Sequence, residues 1–188
     1  MVKLPKPGRL IRRVRAGSYM LAWGTLAPEA PTTIVMSSPD FAEGAAIPAL
    51  HAGDGAGDNV SPALVWSGLP AGTKQLLLVV EDPDVPLPRP VIHLLARLDP
   101  SRTSVARGEL NLEAENTGIV LHPGSFNRVG YAGPHPIEAH GPHRYVFQLF
   151  ALSKPLPLPA TARLESVAAA AYGLILARGR TWGTFERP

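Results

Sequence analysis

Two aspartates stand two residues apart in the segment Asp82-Pro83-Asp84-Val85-Pro86, immediately after an apolar run. Aspartate is a poor strand residue and proline stops a ladder, so the pair marks a strand end. Close carboxylates repel, and one must rise in pKa unless a cation or hydrogen-bond donors intervene. An Asp-Pro pair alone reads as ordinary turn chemistry. A second segment, residues 131–145, is a Gly/Pro-rich loop that runs into His143-Arg144-Tyr145. Strand alternation puts His143 and Tyr145 on one face and Arg144 on the other. His93 lies among apolar residues, where a lone histidine is most often a satisfied core residue. Two strand histidines and two aspartates form instead a buried polar cluster that needs partners. Such a pocket suits a small zwitterion. Imidazolium and loop N–H groups take a phosphate or carboxylate, while carboxylates take an ammonium or orient the histidines. A cationic His143 predicts anion binding that weakens as pH rises.

Other chemistries are weaker. Ser61 or Ser125 could serve as a nucleophile with an Asp/His pair as acid and base, but no Gly-x-Ser-x-Gly elbow is present. His135, His140 and His143, with His93 or Asp82, follow no standard zinc spacing. There is no phosphate-loop or dinucleotide glycine motif. The expectation is a small-anion binding module without cofactor or metal, with an acid/base hydrolase as the alternative. The residues assign no definite enzymatic activity.

The elements that must position these residues are mostly strands. Residues 32–36 and 63–66 are short and β-branched or aromatic. Residues 74–81 put Leu76, Leu78 and Val80 on one face and Leu77 and Val79 on the other, so this strand is central and covered on both sides. Asp82 continues the Leu76 face. Residues 91–98 and 143–152 are two further strands, separated by a long loop. In the first, strict alternation groups His93 with Leu95 and Arg97. One helix is predicted over residues 162–178, with Leu164, Val167, Ala168, Ala171, Leu174 and Ile175 as its stripe, Thr161 as N-cap and Gly179 beyond its end.

The chain has 188 residues, enough for one domain with a real core, and its 45% hydrophobic against 18% charged residues excludes a disordered chain. The absence of cysteine excludes disulfides and thiolate chemistry. Six of the 18 basic residues, Lys3, Lys6, Arg9, Arg12, Arg13 and Arg15, lie in an N-terminal arm, and no acid precedes Glu29. Without that arm, 12 basic residues face 15 acidic ones. A nucleic-acid binder carries its basic footprint on the folded domain, so none is expected here. The predicted organisation is a basic arm over residues 1–30, held on the domain by Tyr19, Leu21 and Trp23, and a domain over 31–188. Weak contact of the arm with an anionic membrane surface is the functional reading of that charge. No apolar run is long enough to span a bilayer and no leader pattern is evident, so a cytoplasmic protein is expected.

Several segments together resemble the phosphatidylethanolamine-binding protein family, in its bacterial Raf-kinase-inhibitor-like branch. They are Asn59-Val60-Ser61-Pro62-Ala63-Leu64-Val65-Trp66, Asp82-Pro83-Asp84-Val85-Pro86, the strand around His93, and Gly133-Pro134 followed by Gly141-Pro142-His143-Arg144-Tyr145. The resemblance spans about residues 32–188. It implies a mainly β fold, an antiparallel β-sandwich of that family's type with one long C-terminal helix and short helices. It implies a pocket for phosphate, acetate or a phosphoethanolamine-like group at Asp82, Asp84, Pro86, His93, Gly133, Pro134, His143 and Tyr145. It further implies a cis Val85–Pro86 peptide, a homodimer, and regulation of a partner kinase or protease. His135 and Ile137-Glu138-Ala139 depart from the family pattern at the rim, the basic arm is additional, and residues 181–188 lack a covering helix.

Overall fold

The computed structural model describes residues 6–113 and 118–188. Its centre is β3 (Gln75–Asp82), whose residues from Leu76 onward are buried. Alternation divides them between two cores. Leu76, Leu78 and Val80 join one apolar cluster, and Leu77 and Val79 join the other. A strand apolar on both sides has to lie inside a sheet covered on both faces.

Five strands form that sheet in the order β6 (Ile119–His122), β4 (Val91–Leu98), β3, β7 (His143–Leu152) and β8 (Ile175–Phe185), every neighbouring pair antiparallel. A second antiparallel sheet contains β1 (Val35–Ser37), β2 (Leu64–Ser67) and β5 (Ser104–Val105), in the order β1-β2-β5. Met36, Leu64, Trp66 and Val105 of the small sheet meet Leu78, Leu94, Phe147 and Leu149 of the large one in the first core. The opposite face of the large sheet is covered by the helix α3 (Leu164–Ala171), through Val167 and Ala171, and by Ala22 of the N-terminal segment. This is the mainly β, two-sheet architecture expected from the sequence.

The predicted long helix is not formed. α3 stops at Ala171, Gly173 takes φ +72°, and the chain turns back as β8 along β7. The i, i+3, i+4 stripe continues past Gly173 in the sequence. There, however, Ile175 to Phe185 gains a full antiparallel ladder, from Leu152↔Ile175 to His143↔Phe185. A glycine in the left-handed region ends the helix with no Cβ penalty. The N-cap is Arg163, without a side-chain capping bond, instead of Thr161. β5 and β6 lie between the predicted strands, where alternation alone predicts a loop.

The described part of the N-terminal segment is tied to the domain at several points. It contains α1 (Pro7–Leu10) and α2 (Ala22–Thr25). Ala16 N–H donates to Val85 O at 2.9 Å and Gly17 N–H to Pro83 O at 2.9 Å. Leu21 and Ala22 are buried, whereas Tyr19 is 79% exposed and does not anchor the arm as expected. Trp23 lies under the guanidinium groups of Arg178 and Arg180, and Arg178 donates to the Trp23 and Pro28 carbonyls. Among the described residues no cis peptide occurs, so Val85–Pro86 is trans, the isomer an X–Pro bond ordinarily favours. In that geometry Val85 O is aimed at Ala16 N–H.

The two sheets approach closely where β8 passes the residue before β1. A Cβ on Gly179 would collide with the backbone oxygen of Ile34 and with its Cβ. Gly179→Ala is therefore expected to lose about 1–3 kcal/mol, as overpacking of a tight contact does. Urea denaturation should show a lower midpoint at unchanged slope.

Candidate functional site

Strand alternation delivers three groups to one place. Asp82 ends β3 on the side of the first core, and His143 and Tyr145 begin β7 on that same side, with Tyr145 within the first core. His93 arrives by a different route. The pairing of β3 with β4 passes from Val80↔Leu94 directly to Glu81↔Ile92, which leaves His93 as the extra residue of a bulge. Strict alternation would have sent His93 to the opposite side, with Leu95. The bulge re-aims it, as such irregularities do beside sites. Its ring then meets Tyr145 edge-on, with centroids 5.0 Å apart.

These residues line a cavity of about 280 Å³. Of the eight sequence-predicted residues, Asp82, Pro86, His93, Gly133, His143 and Tyr145 line it. Asp84 and Pro134 are placed elsewhere. Asp84 N–H donates to Asp82 Oδ1 at 2.8 Å, a local turn that points the Asp84 carboxylate away toward Arg144. There it accepts a bidentate pair from Arg144 Nε (2.8 Å) and Nη2 (2.7 Å), plus the Arg144 backbone N–H. Arg15 of the N-terminal segment adds an ion pair at 3.2 Å. Burial alone would raise the Asp84 carboxyl, but the Arg144 hydrogen bonds and the charges of Arg144 and Arg15 outweigh it and hold it below the usual carboxylate range. The two aspartates thus avoid mutual repulsion by facing different partners. The Pro134 carbonyl accepts from Gly53 N–H at 2.8 Å and fixes the loop backbone.

Hydrogen-bond direction decides what the floor of the cavity offers. His140 Nε2 lies 3.0 Å from the Ile11 carbonyl, an oxygen that can only accept, so this nitrogen carries the proton. Burial, with the nearby charges of His143 and Arg15, holds His140 below the ordinary imidazole value, so its Nδ1 is bare. That nitrogen is 2.7 Å from His143 Nε2, which must therefore donate. His143 Nδ1 then faces Asp82 Oδ2 at 2.7 Å with one proton between them. Whichever atom holds that proton, the Asp82–His143 pair has no net charge. Both His143 nitrogens are engaged, so the simple expectation that His143 itself grips an anion does not fit this geometry. The same engagement removes His140 and His143 from any metal-ligand set.

Two other lining groups have capacity to spare. His93 Nδ1 is 2.5 Å from Ala132 O and donates to it, and His93 Nε2 has no partner among the described residues. Burial pushes His93 below the ordinary imidazole value, against the Asp82 charge, so Nε2 presents a lone pair. Tyr145 is 1% exposed, and its Oη makes no well-formed hydrogen bond among the described residues, although it stands close to Asp82 and the His135 backbone. Burial, and then Asp82, push its phenol far up, so the proton stays on. Ser125 lines the cavity, but its Oγ accepts from Ile92 N–H at 2.9 Å and touches no base, while Ser61 Oγ is buried against Leu110 N–H. Arg128 and Phe126, which sequence reasoning passed over, stand at the rim in an exposed turn, Phe126 at φ +56°. The one hint of them was a cation and an aromatic in a Gly-bounded loop.

A family model described as phosphatidylethanolamine-binding protein matches residues 37–186. The chain belongs to the phosphatidylethanolamine-binding protein family. A UPF0098 protein of Aquifex aeolicus is 36% identical over 151 residues, covering 80% of this chain and 86% of its own. Among solved structures, the phosphatidylethanolamine-binding protein homologue CT736 of Chlamydia trachomatis superposes with a TM-score of 0.73 at 30% identity, over 84% of this chain and 99% of that one. Escherichia coli YbcL, described as a member of the mammalian PEBP family, shares the fold with a TM-score of 0.78 at 24% identity, over 84% and 100% of the two chains. In this member of the family the cavity is lined by Asp82 and His143, and the hydrogen-bond chain continues behind them through His140 to the Ile11 carbonyl of the N-terminal segment.

The Asp84–Arg144 contact should carry measurable stability. Asp84→Asn is expected to cost about 2 kcal/mol, the scale of hydrogen bonds to a charged group. Because the folded carboxyl titrates below its unfolded value of 3.8, the contribution is present above that value and is lost as pH falls through the lower folded one. The gap in melting temperature between wild type and Asp84→Asn should therefore narrow in acid.

Proposed function

We propose that this protein binds a small oxyanion head group, a phosphomonoester or carboxyl group, in the cavity at Asp82, His93, His143 and Tyr145. The observation that carries the reading is Tyr145 Oη, a buried donor without a well-formed hydrogen bond, in one cavity with His93 Nε2, an acceptor that makes none with the described residues. A buried hydroxyl without a partner costs about 1–3 kcal/mol, which an oxygen of the ligand would recover. A ligand hydroxyl or acid proton would go to His93 Nε2. The neutral Asp82–His143 pair removes the repulsion that a bare carboxylate would impose, and Arg128 at the rim attracts negative charge. Ser125 without a base gives the hydrolase alternative no comparable support.

Titration of the wild type with phosphoethanolamine, phosphate and acetate should saturate. Tyr145→Phe should weaken binding about tenfold while leaving the free protein equally stable, or more stable by on the order of 1 kcal/mol. A loss of stability without a loss of affinity would contradict the reading. Sulfate, like acetate near neutral pH, has no proton to give His93 and needs a donor at Nε2. Its affinity should rise as pH falls through the lowered His93 value, below 6.5, and His93→Gln should flatten that rise.

A further inference from the structure

Glu81 and Asp82 are consecutive on β3 and face opposite sides of the large sheet. Asp82 opens on the cavity described above, and Glu81 opens on another, of about 440 Å³, between the N-terminal segment, the start of β4 and α3. Its walls include the apolar side chains of Leu26, Ile92, Leu164 and Ala168. Glu81 is 3% exposed. Both of its hydrogen bonds fall on one oxygen: Ala22 N–H donates to Oε2 at 2.7 Å and Gln148 Nε2 donates to it at 2.8 Å. Oε1 receives none from the described residues. It is also absent from the sealed, unpartnered atoms, which are Tyr145 Oη and Arg178 Nε, so the cavity is its outlet.

We infer that this second cavity binds a small apolar molecule carrying a primary ammonium group, with the ammonium on Glu81 Oε1. A buried carboxylate calls for a cation, and among the described residues none lies within ion-pair distance of Glu81. Arg89 and Glu165, the other charged residues lining the cavity, are exposed at its edge, where solvent screens them, and their charges sum to zero. An ammonium supplies three donors to an oxygen that has none, and the apolar walls take the rest of the molecule. Burial raises the Glu81 carboxyl, against its two hydrogen bonds, which is the state of an acid that lacks its counter-ion. The two cavities share only Ile92 in their linings, and the groups invoked for the ammonium are not those invoked for the anion.

Calorimetric titration of the full chain at about pH 8, where an alkyl ammonium remains charged, tests this with hexylamine, hexanol and hexanoate. Hexylamine should saturate, with the other two at least about tenfold weaker. Glu81→Gln should reduce hexylamine affinity about tenfold or more. Ala168→Phe, which puts a ring into the cavity and leaves Glu81 in place, should weaken binding about tenfold or more, and it decides the matter if Glu81→Gln does not fold. His143→Ala should leave hexylamine binding unchanged. Absence of saturation, hexanol binding as tightly as hexylamine, or hexylamine binding insensitive to Ala168→Phe would each overturn the proposal.

Discussion

Asp82 makes two hydrogen bonds at the end of β3, accepting one from the Asp84 backbone and sharing a proton with His143 in the other, and the architecture of the site depends on the second. From His143 the chain of bonds passes to His140 and ends on the Ile11 carbonyl. Because the last acceptor is a backbone oxygen, the Nε2 protons of His140 and His143 have fixed places, and one proton is left between His143 and Asp82. The N-terminal segment is therefore more than a cover, since its carbonyl sets the tautomer of His140 and through it the role of His143. A buried network of this kind is costly when partly satisfied and specifying when complete.

The two faces of β3 organise the rest. One face carries Leu76, Leu78, Val80 and then Asp82, and the other carries Leu77, Val79 and then Glu81. Each apolar row ends in a carboxyl group at the same end of the strand. Each carboxyl is met by a side chain of β7, Asp82 by His143 and Glu81 by Gln148. A short turn then separates Asp84 from both and gives it to Arg144 and Arg15, so three acids within four residues have three different environments. The phosphatidylethanolamine-binding protein fold supplies the sheet, and the particular polar partners set the chemistry of each face.

Much of this was legible in the sequence, for a physical reason. A strand buried on both faces or alternating cleanly announces itself, so β3, β4 and β7, the place of Asp82 on the Leu76 face and the shared face of His143 and Tyr145 follow from spacing alone. His93 does not follow, because a bulge leaves no mark in residue type and reverses the face that alternation assigns. Spacing also draws Asp84 into the pocket, although Arg144, placed by alternation on the other face of its strand, is the available signal for where it goes. The Ala-rich run after Thr161 satisfies a helical stripe beyond the point where the helix ends. Gly173 marks that end, and the competing ladder with β7 is a long-range interaction that local periodicity does not contain.

The central claim, that the Ile11 carbonyl fixes the protons of His140 and His143, is tested most directly by nitrogen-15 NMR of the histidine rings in the wild type. The account predicts a His140 ring protonated at Nε2 with a bare Nδ1, and a His143 ring whose Nε2 carries a proton. A His140 ring protonated at Nδ1, or a bare Nε2 on His143, would contradict it.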